Sequence, residues 1–172
     1  RSCFIKQADV LQGLYFFEED FTPDVIKRNF EFYEPMTVHE SSLSPCVHSI
    51  LASKLGLQDK AYDMYLRTAR LDLDDYNNDT EDGLHITSMA GTWMSVVKGF
   101  AGQRVKDDFL HLNPFIPEQW KSYSFRIAFR NALLEVEVTQ DGISIQNISD
   151  TDLTLFVKGQ RLFVGGNSMT QV

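Results

Sequence analysis

The chain has 172 residues, with 16 Lys and Arg against 24 Asp and Glu, for a formal net charge of −8. Its 43% hydrophobic and 23% charged residues suit a globular protein of one domain or two small ones. The acidic balance argues against nonspecific binding to nucleic acid or to an anionic membrane, and no apolar run approaches the ~18 residues of a membrane span.

In chain order, an opening helix is expected over roughly 9–17. Thr22-Pro23-Asp24 places a capping hydroxyl before a Pro at the first helical position, and Val25, Ile26, Phe30 and Tyr33 follow on one face until Pro35. Ser44-Pro45 repeats the start signal, with Val47, Ile50, Leu51 and Leu55 as the apolar stripe and Gly56 as the stop. Ala61, Met64, Tyr65, Ala69 and Leu73 form a third stripe. The segment from about Leu84 to Val97 is apolar nearly all round, which predicts a helix buried on most sides.

Near residue 106 the apolar spacing changes from three and four to two, which marks the expected boundary between domains at 1–106 and 107–172. Phe125, Ile127 and Phe129 alternate with polar residues, as do Leu134, Val136 and Val138. Asn131-Ala132 reads as a tight connection and Asp141-Gly142 as a hairpin turn, followed by Ile143 and Ile145. Leu153–Val157 and Arg161–Val164 are separated by Lys158-Gly159. Five short strands, each with one apolar face, predict a small antiparallel sheet or half-sandwich, with Gly165-Gly166-Asn167-Ser168 as a disordered tail. The fold class is therefore α+β.

Several chemistries fail by inspection. There is no phosphate loop, dinucleotide fingerprint, zinc-protease pair or nucleophile elbow. The acidic stretch starting Asp75, Asn77, Asp79 has Thr80 and Ile86 where a calcium loop needs Gly and Glu, so it reads as a solvated turn. Cys3 and Cys46 make no disulfide framework, and a cytoplasmic setting is expected.

Three clusters bear on function. Lys6-Gln7-Ala8-Asp9 either starts a helix or offers the directional donors that bind a sugar's vicinal hydroxyls. In Glu34–Pro45, adjacent hydroxyls at Ser41 and Ser42 precede a helix N-terminus, where free N–H groups suit an anion such as phosphate. The bland alternative there is capping by Ser44 with His39 satisfied in the core. In His85–Trp93, His85 is either a core residue or a ligand-facing one, and Gly91 could admit a ligand to the backbone.

Taken together and in this order, these clusters resemble the C-terminal part of the family 65 glycoside phosphorylases. The resemblance rests on Lys6–Val10, Tyr33–Ser44, His48-Ser49-Ile50, Ala69–Asp75, Asp82–Trp93, Gly99-Phe100 and the Leu112-Asn113-Pro114…Pro117…Trp120 segment. Departures are small, among them Thr87 where the family has Ala, and Ala101 and Gln103. The resemblance implies the last helices of an (α/α)6 barrel followed by a small C-terminal β-domain. An unclosed barrel would leave part of the Leu84–Val97 face exposed.

It also implies cleavage of an α-glucosyl disaccharide, maltose favoured, by inorganic phosphate to give β-glucose 1-phosphate, with phosphate as co-substrate and no cofactor or metal. Lys6 and Gln7 would hold the glucosyl unit. Ser41, Ser42, His85 and the backbone around Gly91 would bind phosphate, with His39 and Glu40 shaping the site. The family's general acid, a Glu in a Gly-Pro-Asp-Glu-Tyr-like motif, is absent from these residues. With no Met at Arg1 as well, a fragment inactive on its own is expected, from a full-length protein that is a homodimer. A trehalase-type hydrolase would need a carboxylate base in place of Ser41 and Ser42. A carbohydrate-binding module would need an exposed aromatic platform, for which Trp120 and Tyr123 are the candidates.

Overall fold

The computed structural model describes residues 3–172, which fall into two compact units, one ending at Gly99 and one running Phe100–Val172. Among the described residues the first unit holds five α-helices: α1 (Asp9–Phe16), α2 (Pro23–Tyr33), α3 (Ser44–Lys54), α4 (Gln58–Ala69) and α5 (Ile86–Met94), the last running into a π-turn at Ser95–Phe100. Among the described residues no helix is long and apolar enough to cross a membrane.

The start and stop signals act largely as their chemistry dictates. The Thr22 hydroxyl accepts the N–H of Val25, and Pro23 opens α2, which buries Ile26 and Phe30. Gly56, at φ +75°, ends α3, and the N–H of Leu57 reaches back to the carbonyl of Ala52. Ser44 departs from expectation. It is the first residue of α3 rather than its cap, and its hydroxyl pairs with the His39 ring instead.

Helix α3 lies at the centre of this unit, buried continuously from Ser44 to Ala52, with α1, α4 and α5 packed against it. Small and polar residues make that approach close. A Cβ on Gly91 of α5 would stand 3.0 Å from Cys46 Cβ and 3.2 Å from Thr68 Cγ2, and the Ser88 hydroxyl donates to the Thr68 carbonyl at 2.7 Å. The expectation that α5 is buried on most sides is overturned. Ser88 and Gly91 face inward, while Leu84, Ile86, Met89 and Trp93 are all exposed. One apolar face serves the packing seen here and the other is left bare.

The second unit contains eight strands, not five: β1 (Arg104–Lys106), β2 (Phe109–Leu112), β3 (Ser122–Phe129), β4 (Ala132–Thr139), β5 (Gly142–Asn147), β6 (Leu153–Val157), β7 (Gln160–Val164) and β8 (Met169–Gln171). They form two four-stranded sheets, β1-β2-β6-β7 and β3-β4-β5-β8, antiparallel except for the β2–β6 pair. The overlooked strands span three or four residues, too few for alternation to register. Asp107-Asp108, Arg130-Asn131 and Lys158-Gly159 each have positive φ at both positions, the backbone of a two-residue hairpin turn. The β3–β4 turn is thus Arg130-Asn131, and Ala132 is a buried strand residue.

The expected disordered tail is ordered. Gly166 N–H donates to Asp152, Asn167 N–H to the Ser149 carbonyl, and β8 then pairs with β5. Leu134, Val136, Ile145 and Leu155 lie in the core of the unit. Tyr123 is buried with its hydroxyl donating to the Phe115 carbonyl, and Trp120 packs edge-on against Phe100. Neither supplies the exposed aromatic platform that a carbohydrate-binding module required.

Candidate functional site

The three clusters converge. A single parallel bridge joins Ile5 to Thr37: Ile5 N–H donates to the Met36 carbonyl and Val38 N–H to the Ile5 carbonyl. The residues leading into α1, which include Lys6 and Gln7, therefore run beside those leading into α3. The Ser42 hydroxyl lies 3.1 Å from that of Thr87, tying the same loop to the first turn of α5. The segments that lead into α1, α3 and α5 are thus linked in pairs.

Within this group Lys6 and Glu40 are exposed and Gln7, Ser41 and Ser42 half-buried. The Gln7 amide donates to the Asp9 carboxylate at 2.9 Å, holding one end of the Lys6-Gln7 pair. Ser41 folds its loop on itself, its carbonyl accepting the N–H of Ser44 and its hydroxyl that of Leu43. Two of the amides at the start of α3 are engaged in this way. Gly91 is buried, and the space beside its Cα is filled by Cys46 and Thr68. Its missing side chain serves the α3–α5 contact, where sequence alone suggested an opening for a ligand.

His39 and His48 form a buried pair. Their rings meet edge to face at 4.4 Å, and His39 Nδ1 lies 3.0 Å from the Ser44 hydroxyl. Burial, helped by the nearby charges of His48, Arg67 and Lys60, lowers the His39 pKa to about 3, so its imidazole is neutral at neutral pH. His48 Nδ1 faces the Ser44 carbonyl at 3.0 Å. A carbonyl only accepts, so Nδ1 carries the proton, and the buried Nε2 is left without a hydrogen-bond partner. Burial also lowers the His48 pKa.

His85 has the opposite setting. Its Nδ1–H donates to Asp72 Oδ1 at 2.6 Å, its backbone N–H donates to Asp72 Oδ2 at 2.8 Å, and Nε2 is 3.5 Å from Asp79. The hydrogen bond to Asp72 raises the His85 pKa and lowers that of Asp72. The result is a half-buried imidazole held toward its cationic form, two residues before the hydroxyl that meets Ser42. Sequence reasoning gave Asp72 no role in the site, reading it only within an acidic stretch and a family motif, and missed Arg67, whose Nη2 reaches the carbonyls of Val38 and His39. No local pattern marks either. Among the described residues no group of three or more His, Cys, Asp or Glu could hold a metal ion.

Comparison with known proteins gives the family. The model of the glycosyl hydrolase family 65 central catalytic domain matches residues 1–94, and that of the family's C-terminal domain matches 103–164. The chain belongs to glycoside hydrolase family 65. Similar family members include the maltose phosphorylase of Bacillus subtilis (strain 168), 54% identical over 96% of this chain and 22% of that protein. An alpha,alpha-trehalose phosphorylase of Thermoanaerobacter brockii is 46% identical over 80% of this chain and 18% of its own length. A solved family 65 structure, described as a kojibiose phosphorylase from the human microbiome, superposes with a TM-score of 0.92 at 41% identity, covering 100% of this chain and 25% of that one. The chain thus spans about a fifth of the length of the curated relatives it matches.

Proposed function

We propose that these residues belong to an inverting disaccharide phosphorylase that transfers glucose from an α-glucosyl disaccharide, maltose first, to inorganic phosphate. A phosphate oxygen attacks the anomeric carbon as the glycosidic bond breaks, and a carboxylic acid protonates the departing oxygen. The products are β-glucose 1-phosphate and glucose. Phosphate takes the place of the base-activated water of an inverting hydrolase, so a single acid suffices. That acid is a Glu supplied by another part of the longer protein, and the 172 residues alone are inactive.

Lys6 and Gln7 hold the glucosyl unit through its hydroxyls. Ser41 and Ser42 donate to phosphate, and His85, oriented by Asp72 and held toward its cationic form, contributes charge. His39 and Glu40 shape the loop, and Gly91 lets α5 come close enough to α3 for Thr87 to meet Ser42. The convergence of the three helix starts, through the Ile5–Thr37 bridge and the Ser42–Thr87 contact, is the observation that carries this reading. Phosphate serves as co-substrate and no cofactor is required. The resemblance further supports a cytoplasmic homodimer for the full-length protein.

The test is product analysis of the full-length protein with maltose, trehalose and kojibiose, with and without phosphate, following the anomeric proton by NMR. The expected result is β-glucose 1-phosphate, formed fastest from maltose and only when phosphate is present. Glucose released equally well without phosphate, or an α-configured product, would overturn the reading.

A further inference from the structure

Arg67 has no role in the chemistry above, yet it grips the backbone on which that chemistry depends. It lies in the last turn of α4, and its Nη2 donates to the carbonyls of Val38 at 3.4 Å and His39 at 3.3 Å. Its guanidinium carbon stands 5.5 Å from the centre of the Tyr76 ring. Its Nε is buried without an acceptor, and among the described residues no carboxylate pairs with it.

Val38 and His39 lead directly into Glu40-Ser41-Ser42. His39 has φ +55°, a left-handed conformation that residues with a side chain rarely adopt unless their surroundings impose it. The surroundings here are explicit. Val38 N–H is bonded to Ile5, the His39 ring to Ser44, and both carbonyls to Arg67. The guanidinium is the only one of these restraints that also brings charge. That charge reaches the loop, since it contributes to keeping His39 neutral.

We propose that Arg67 is a positioning residue for phosphate: its guanidinium holds the His39 turn that aims Ser41 and Ser42, and its unneutralised charge favours an anion at that loop. This rests on the phosphorolysis reading. A paired arginine would have its field cancelled by its own carboxylate, whereas an unpaired one keeps it at the loop that carries Ser41 and Ser42. Lysine would preserve the charge but not the planar fork, and glutamine would preserve a donor but not the charge.

The test is steady-state kinetics of the full-length protein and its Arg67→Gln and Arg67→Lys variants, varying phosphate at saturating disaccharide and the reverse. Arg67→Gln is expected to raise the phosphate KM about tenfold or more, with the disaccharide KM within about twofold. Arg67→Lys is expected to recover part of that loss. An unchanged phosphate KM in a folded Arg67→Gln protein overturns the proposal. So do both KM values and kcat moving together with the melting temperature, the mark of a merely structural role. If Arg67→Gln does not fold, Arg67→Lys decides alone: a phosphate KM raised severalfold supports the proposal, and one unchanged overturns it. Absence of phosphorolysis in the unaltered protein is a separate outcome that overturns the reading of the site, and this proposal with it.

Discussion

The two units differ in how many polar residues they bury beside their apolar cores. The helical unit buries His39, Ser44, His48, Ser49, Thr68, Ser88 and Ser95, while Phe16, Phe17, Phe32, Leu84, Ile86 and Trp93 stand exposed. The strand unit keeps Leu134, Val136, Ile145 and Leu155 inside, and Asn147 and Gln103 are its buried polar residues. In the strand unit alternation decides burial, one face in and one out. In the helical unit α3 buries Val47, Ile50 and Leu51, and beside them small and hydroxyl-bearing residues let neighbouring helices approach closely. The unit that carries the candidate site is the one that departs from simple hydrophobic sorting.

The comparison can be broken most forcefully in the strand unit. Ile145→Ala removes a fully buried side chain and is expected to cost about 2–5 kcal/mol. Hydrogen exchange should show the loss in β3, β4 and β5, with the amides of α3 unaffected.

Acid should act on the other unit. His39 is held neutral in the fold, with its pKa lowered to about 3, whereas the unfolded chain binds its proton near pH 6.5. Between those values the unfolded state holds more protons, so stability present above pH 6.5 is lost as pH falls toward 3. The slope is about 1.4 kcal/mol per pH unit for this one group. The buried His48 adds in the same direction. His85, with a raised pKa, works the other way: its contribution is complete below pH 6.5 and disappears as pH rises through its folded value. Exchange protection of α3 measured between pH 7 and pH 4 should therefore fall while that of β4 holds. Equal loss in both units would show that the buried histidines do not govern the difference.

Gly91→Val tests packing by approach directly. The added carbons meet Cys46 and Thr68, and overpacking of this kind costs about 1–3 kcal/mol. Thermal unfolding should show a lowered midpoint, and the exchange-derived loss should be confined to α3, α4 and α5. The smallest effect is expected of Thr87→Ala, which removes the hydroxyl facing Ser42 and is worth about 0.5–1.5 kcal/mol. Faster exchange at Leu43 and Ser44, with the rest of α3 unchanged, would confirm that this contact ties the loop to α5.

Much was legible before any coordinates. The Thr22-Pro23 start, the Gly56 stop and the alternation through β3, β4 and β5 are local signals read over a few residues. The family motifs were legible for the same reason, being runs of neighbouring residues in a recognisable order. Where the reading failed, a contact outside the local pattern decided. Ser44 looks like a cap until His39 claims its hydroxyl, and Gly91 looks like an opening until Cys46 fills it.

The sequence by itself determined the helices, most of the strands, some of the turns and the residue types from which a sugar and phosphate site can be built. Tertiary structure alone decided that the segment before α1 pairs with the one before α3 and that Ser42 meets Thr87, that His39 is neutral while His85 leans toward its cation, and that Arg67 holds the carbonyls of Val38 and His39. Propensity and periodicity depend on neighbours within a turn or a pleat. The pairings of Ile5 with Thr37, Ser42 with Thr87 and Asp72 with His85 depend on how whole helices pack around α3, and no local spacing encodes that.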